Sequence, residues 1–92
     1  MEKFECDDKY EAEKLAGFLA IHEDNSTFLH GIAAIVQNEV VIILKDKSSH
    51  SIIMKDPNTA VRLKSLIEDV LVQKKRISGC NFEGYVTEIT TS

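Results

Sequence analysis

Between Thr27 and Leu44 runs a stretch of β-branched and aliphatic residues broken only by Gln37-Asn38-Glu39. Such residues favour a pleated backbone, and a short polar interruption between two of these runs reads as a hairpin turn. Taking Asn38-Glu39 as the turn pairs Gln37 with Val40, Val36 with Val41 and Ile35 with Ile42. One face then carries Gly31, Ala33, Ile35, Val40, Ile42 and Leu44, and the other His30, Ile32, Ala34, Val36, Val41, Ile43 and Lys45. Both faces are apolar at their centre. A chain of 92 residues forms one small domain, and two helices on an antiparallel sheet cover one face and leave the second open. With the helices on the first face, Ile32, Val36, Val41 and Ile43 form an exposed apolar strip. Such a strip calls for a protein partner, and a homodimer is the simplest way to cover it.

The flanking segments fill in the rest. Residues 2–6 read as a short strand. Asp7 and Asp8 offer carboxylates to orphan helix amides, with Glu11 three residues after Asp8 at capping-box spacing. Ala12, Leu15, Ala16 and Leu19 then recur at helical intervals, until the polar run Glu23-Asp24-Asn25-Ser26 ends the helix. Ser51 to Met54 is a third strand of a meander. Asp56-Pro57 opens a second helix, because proline has no amide hydrogen to leave unpaired and its φ is already helical. Leu63, Leu66, Ile67, Val70 and Leu71 carry that helix to Lys74-Lys75-Arg76, and Gly79 closes it. Asn81 to Thr90 reads as one final strand. No internal repeat is legible. The expected fold is α+β over 1–92, an antiparallel sheet of four to five strands with two helices on one face, in the order βαβββαβ.

Composition excludes the extremes: 43% hydrophobic and 28% charged residues fit neither a disordered chain nor a membrane protein. The longest apolar run, Val40 to Leu44, falls far short of the roughly 18 residues of a membrane span. The net charge of −4 is unevenly spread, at −5 over residues 1–25 and +4 over 45–76, so the molecule is expected to be a charge dipole. Met1-Glu2-Lys3 leads into no apolar signal region, and Cys6 and Cys80 lie far apart. Reduced thiols in the cytoplasm are the expectation.

No catalytic constellation stands out. His22, His30 and His50 have no partner at zinc-ligand spacing, Cys6 and Cys80 have no neighbouring histidine motif, and the glycines make no phosphate loop. The chain is therefore expected to be no enzyme and to hold no metal or cofactor. Arg62 and the run Lys74, Lys75, Arg76 form a basic helix end, read as a partner contact by charge steering. An RNA-binding module is the alternative, since the αβββα order resembles that of double-stranded-RNA-binding domains, although few aromatics flank these cations. A stand-alone inhibitor or ligand-binding protein of mobile-element type is a third reading, resting on small size and acidity.

Several features together resemble the small dimerisation subunit of the KEOPS complex, the family of the cancer-testis-antigen-like proteins. These are a strand, an acidic-opened helix with Glu11-Ala12 near its start and Leu19 near its end, a Val/Ile hairpin, and a helix with Arg62 ahead of Leu66 and Leu71. The similarity covers about residues 3–76. It implies a non-catalytic adaptor that dimerises through its sheet and docks its helices on a catalytic partner in threonylcarbamoyl modification of tRNA. Arg62 matches the family's helix arginine and Val40 to Leu44 its second hairpin strand. The strand within Lys47 to Met54 and the segment Ser78 to Ser92 depart from the family pattern.

Overall fold

The two aspartates nominated as caps begin the two helices. Asp8 accepts the Glu11 amide at 2.9 Å, and Asp56 accepts both the Thr59 amide at 2.7 Å and its hydroxyl at 2.8 Å. Each satisfies an amide that has no partner within the helix. The computed structural model describes residues 1–21, 29–44, 47–72 and 77–91. Its elements are β1 (Glu2–Glu5), α1 (Lys9–Ile21), β2 (Leu29–Val36), β3 (Glu39–Leu44), β4 (Ser49–Ile53), α2 (Pro57–Val72), β5 (Ile77–Glu83) and β6 (Val86–Thr91).

The class is α+β, but the strand count and order differ from expectation. Residues 77–91 form a hairpin of two strands, because Gly84 takes φ 58° and turns the chain between Glu83 and Val86. In place of one sheet of four to five strands there are two three-stranded antiparallel sheets, β1-β6-β5 and β2-β3-β4. Among the described residues they meet at a single antiparallel bridge between Cys6 and Met54. Asp7 N donates to Ile53 O and Lys55 N to Glu5 O, both at 3.0 Å, on either side of that bridge.

The order βαββ-βαββ is a repeat. Adding 48 to the residue numbers carries β1 and α1 onto β4 and α2, and adding 47 carries the first hairpin turn and β3 onto the second turn and β6. The one-residue difference is absorbed at Ala33, where β2 bulges between Ile32 and Ala34 while β5 has no counterpart bulge. Pairings repeat too: Phe4 opposite Thr87 matches Ile52 opposite Val40, and Lys3 opposite Glu88 matches Ser51 opposite Val41. Cys6 N bonds Tyr85 O as Met54 N bonds Asn38 O, both at 2.7 Å. Gln37 at φ 56° stands where the second hairpin has Gly84. The Cys6–Met54 bridge, which joins equivalent residues, marks the pseudo-two-fold axis, and the first strand of each half pairs with the hairpin of the other. Five identities survive between the halves, Asp8/Asp56, Ala12/Ala60, Leu15/Leu63, Gly31/Gly79 and Ile42/Ile89, too few to be read as a repeat in the sequence.

Helix α1 packs against β5, β6 and β4, and α2 against β2, β3 and β1. Phe4 and Thr87 sit opposite each other; Arg62 of α2 covers the Phe4 ring, while the Thr87 hydroxyl donates to the Ala12 carbonyl of α1 at 3.0 Å. Equivalent pairs fill the core between helices and sheets: Phe4 and Ile52, Cys6 and Met54, Leu15 and Leu63, Leu19 and Ile67, Ile42 and Ile89, all buried. Among the described residues Thr87 is the one buried polar residue that replaces an aliphatic counterpart, Val40, and its hydroxyl is satisfied by Ala12.

Candidate interaction face

Side chains alternate across a strand, so the residues between the core positions point away from the helices. On β3 the core residues Val40 and Ile42 are fully buried, whereas Val41 and Ile43 are half-buried on the outer face. The turn is Gln37-Asn38, not Asn38-Glu39. Asn38 is anchored to the strand beyond, its Nδ2 donating to Met54 O at 2.7 Å and its carbonyl accepting from Met54 N. Val36 therefore pairs with Glu39 and Ile35 with Val40. This shift of two residues leaves faces unchanged near the turn, and Val36 stays on the outer side, 63% exposed. Further along, the Ala33 bulge shifts the backbone register, with Ile32 paired with Ile42 and Ala34 with Val41. Ile53 on β4, opposite Glu39, adds an apolar residue to the outer strip. The alternation in Ser51-Ile52-Ile53-Met54 carried that signal, with Ile52 and Met54 buried and Ile53 half-buried.

The outer faces of the two sheets are chemically different although their backbones match. On β2-β3-β4 the outer positions are Val36, Val41, Ile43 and Ile53, flanked by Ser49 and Ser51. At the equivalent positions β1-β6-β5 has Glu83, Glu88, Thr90 and Glu5. That second face is tied by ion pairs, Lys3 with Glu88 at 3.6 Å and Lys55 with Glu5 at 2.8 Å. The Glu5 carboxylate bonded to Lys55 raises the pKa of that ammonium, and Lys55 also lies 5.3 Å over the Tyr85 ring.

The basic helix end is only partly in view. Lys74, Lys75 and Arg76 lie outside the described residues. Arg62 is committed to packing: Nη2 donates to Lys3 O at 2.9 Å and the guanidinium stacks 4.9 Å from the Phe4 ring centre, holding α2 against β1. It also lines a groove of about 240 Å³ with Glu2, Val61, Leu66 and Asp69. Lys64 pairs with Glu68 along the helix.

Among the described residues no group of three or more His, Cys, Asp or Glu is placed to hold a metal ion. His50 packs its ring 5.0 Å from that of Phe18. Cys6 is fully buried beside Thr87, and burial pushes its thiol pKa up, reinforced by Glu11 and Asp8 and opposed by the Thr87 hydroxyl. Cys6 and Cys80 are not joined in a disulfide. No helix among the described residues is long and apolar enough to cross a membrane. Comparison with protein-family models, curated proteins and solved structures finds nothing that matches this chain.

Proposed function

We propose that this chain is a small, non-catalytic adaptor that docks another protein surface through the outer face of β2-β3-β4. The observation that carries this reading is the contrast between the halves. Glu88, Thr90 and Glu5 occupy, on the same backbone, the positions filled by Val41, Ile43 and Ile53. The fold thus tolerates polar residues there, and the apolar set answers to something outside the monomer. Each large aliphatic side chain withdrawn from water contributes roughly 1.5–3 kcal/mol, so these few residues offset much of the cost of association. A KEOPS-like accessory subunit is the more specific form of this proposal, and the first βαββ half is the part that supports it. A photo-crosslinking residue placed at position 41, and at the matched position 88 as control, tests the reading in the host cell. The expected result is protein capture at 41 and little at 88; equal capture at both sites, or none at 41, refutes it.

A further inference from the structure

The groove beside α2 lies on the helix side of the fold, apart from the docking face, at a place where the halves differ. Helix α1 rests on β4 as α2 rests on β1. At the first of these contacts the rings of Phe18 and His50 meet with their centres 5.0 Å apart and bridge the crevice between helix and strand. The pseudo-two-fold carries Phe18 onto Leu66 and His50 onto Glu2. Neither of these has a ring, and the crevice between α2 and β1 is open as the groove of about 240 Å³. We propose that this groove binds a small organic cation with one aromatic ring, an arylalkylammonium. Such a ligand brings the ring and the base that the α1–β4 contact holds in its own side chains.

Size sets the class of ligand. A cavity of about 150 Å³ accommodates a benzene ring, which leaves space here for a short chain ending in an ammonium. Val61 and Leu66 give the ring apolar contact, and Val61, 53% exposed, has the most to gain from cover. Charge sets the sign. The groove follows α2 from Arg62 to Asp69, about 10 Å by helix rise. Arg62 at one end is committed to Lys3 O and the Phe4 ring. Asp69 at the other end, and Glu2 on the facing strand, make no ion pair among the described residues, while nearby Lys3 and Lys64 are engaged by Glu88 and Glu68. A carboxylate thus stands where His50 stands at the other contact. An ammonium lying along the groove meets that carboxylate and Asp69 through charge-assisted hydrogen bonds. A site this small and open binds weakly, with a Kd of about a millimolar.

Amide chemical shifts of the full chain, titrated at low salt with 2-phenylethylammonium, read the binding directly. Saturable shifts are expected along residues 61–69 and at residue 2, half complete at about a millimolar. Neutral 2-phenylethanol and ring-free butylammonium should each bind at least about fivefold more weakly. The anion 3-phenylpropionate should not bind, because Glu2 and Asp69 repel it. Glu2→His with Leu66→Phe copies the Phe18–His50 pair into the groove; this variant should keep the native circular dichroism and lose affinity by about tenfold or more. Should it unfold, Glu2→Gln with Asp69→Asn decides, since both residues are exposed. It should bind the ammonium about fivefold more weakly and the alcohol unchanged. Absence of saturable shifts along α2 overturns the proposal, as does the alcohol, the anion or butylammonium binding as tightly as the arylalkylammonium. A folded variant of either kind that binds like the wild type overturns it equally. Crosslinking at position 41 is independent of all these outcomes, so failure here leaves the docking face standing.

Discussion

Gln37 and Gly84 hold the same place in two hairpins, with φ values of 56° and 58°, yet only one is a glycine. A Cβ at Gly84 would meet nothing within 4 Å, so Gly84→Ala isolates the cost of the left-handed backbone. It should destabilise the fold by about 1 kcal/mol in denaturant titration. Gln37→Gly should be neutral or stabilising by a few tenths of a kcal/mol, since relief of strain is set against a looser unfolded chain. Asp56 gives a pH signature. The Thr59 amide and hydroxyl bonded to its carboxylate hold its pKa below the usual range. A depressed folded-state pKa contributes stability above the unfolded value, about 3.9, and that contribution is lost as pH falls through the folded pKa. Asp56→Asn keeps an acceptor without the charge, so the stability difference between wild type and variant should shrink in acid unfolding below about pH 4. Both caps were legible in the sequence because a carboxylate before a helical apolar pattern has one physical use. The turn at Gln37 was not, because glutamine rarely adopts positive φ and the adjoining Asn38 is the commoner turn residue.

At the scale of elements, the two helices and the Val/Ile hairpin follow from periodicity alone. What periodicity cannot supply is the Ala33 bulge, an insertion fixed by pairing with β3, which shifts the register of β2 between Ile32 and Ala34. The β5–β6 hairpin was concealed for a related reason. Gly84-Tyr85 is its whole turn, and the threonines and glutamates around it alternate too weakly to mark two strands. Thr87 tests how interchangeable the halves are. Its hydroxyl bonds the Ala12 carbonyl, which as a helix carbonyl within α1 also has a ladder partner. Thr87→Val, which copies Val40, should therefore shift stability by no more than about 1 kcal/mol in either direction. A much larger loss would show that the Cys6–Thr87–Ala12 contacts stabilise the fold cooperatively.

For the molecule as a whole, the matched halves make a prediction about connectivity. The segment between Leu44 at the end of β3 and Ser49 at the start of β4 joins one βαββ unit to the next. By the pseudo-two-fold, Thr91 at the end of β6 stands to β1 as Leu44 stands to β4. A linker of three residues between 92 and 1, which with Ser92 equals the four residues 45–48, thus spans a gap the protein already closes once. Opening the chain between Asp46 and Lys47 cuts only the original connection. In this permutant β4, α2, β5 and β6 come first in the chain, and every pairing, both aspartate caps and the Cys6–Met54 bridge are retained. Loop closure depends weakly on length and loop tips tolerate new termini, so the cost of exchanging one connection for an equivalent one is small. The permutant should show native circular dichroism and one cooperative unfolding transition. The same cut without the new linker leaves two fragments whose association depends on concentration, because each lends its first strand to the other's hairpin. A permutant that fails to fold while the two fragments do associate would mean that the termini are not placed as the matching loop is, and that the repeat is broken at that joint.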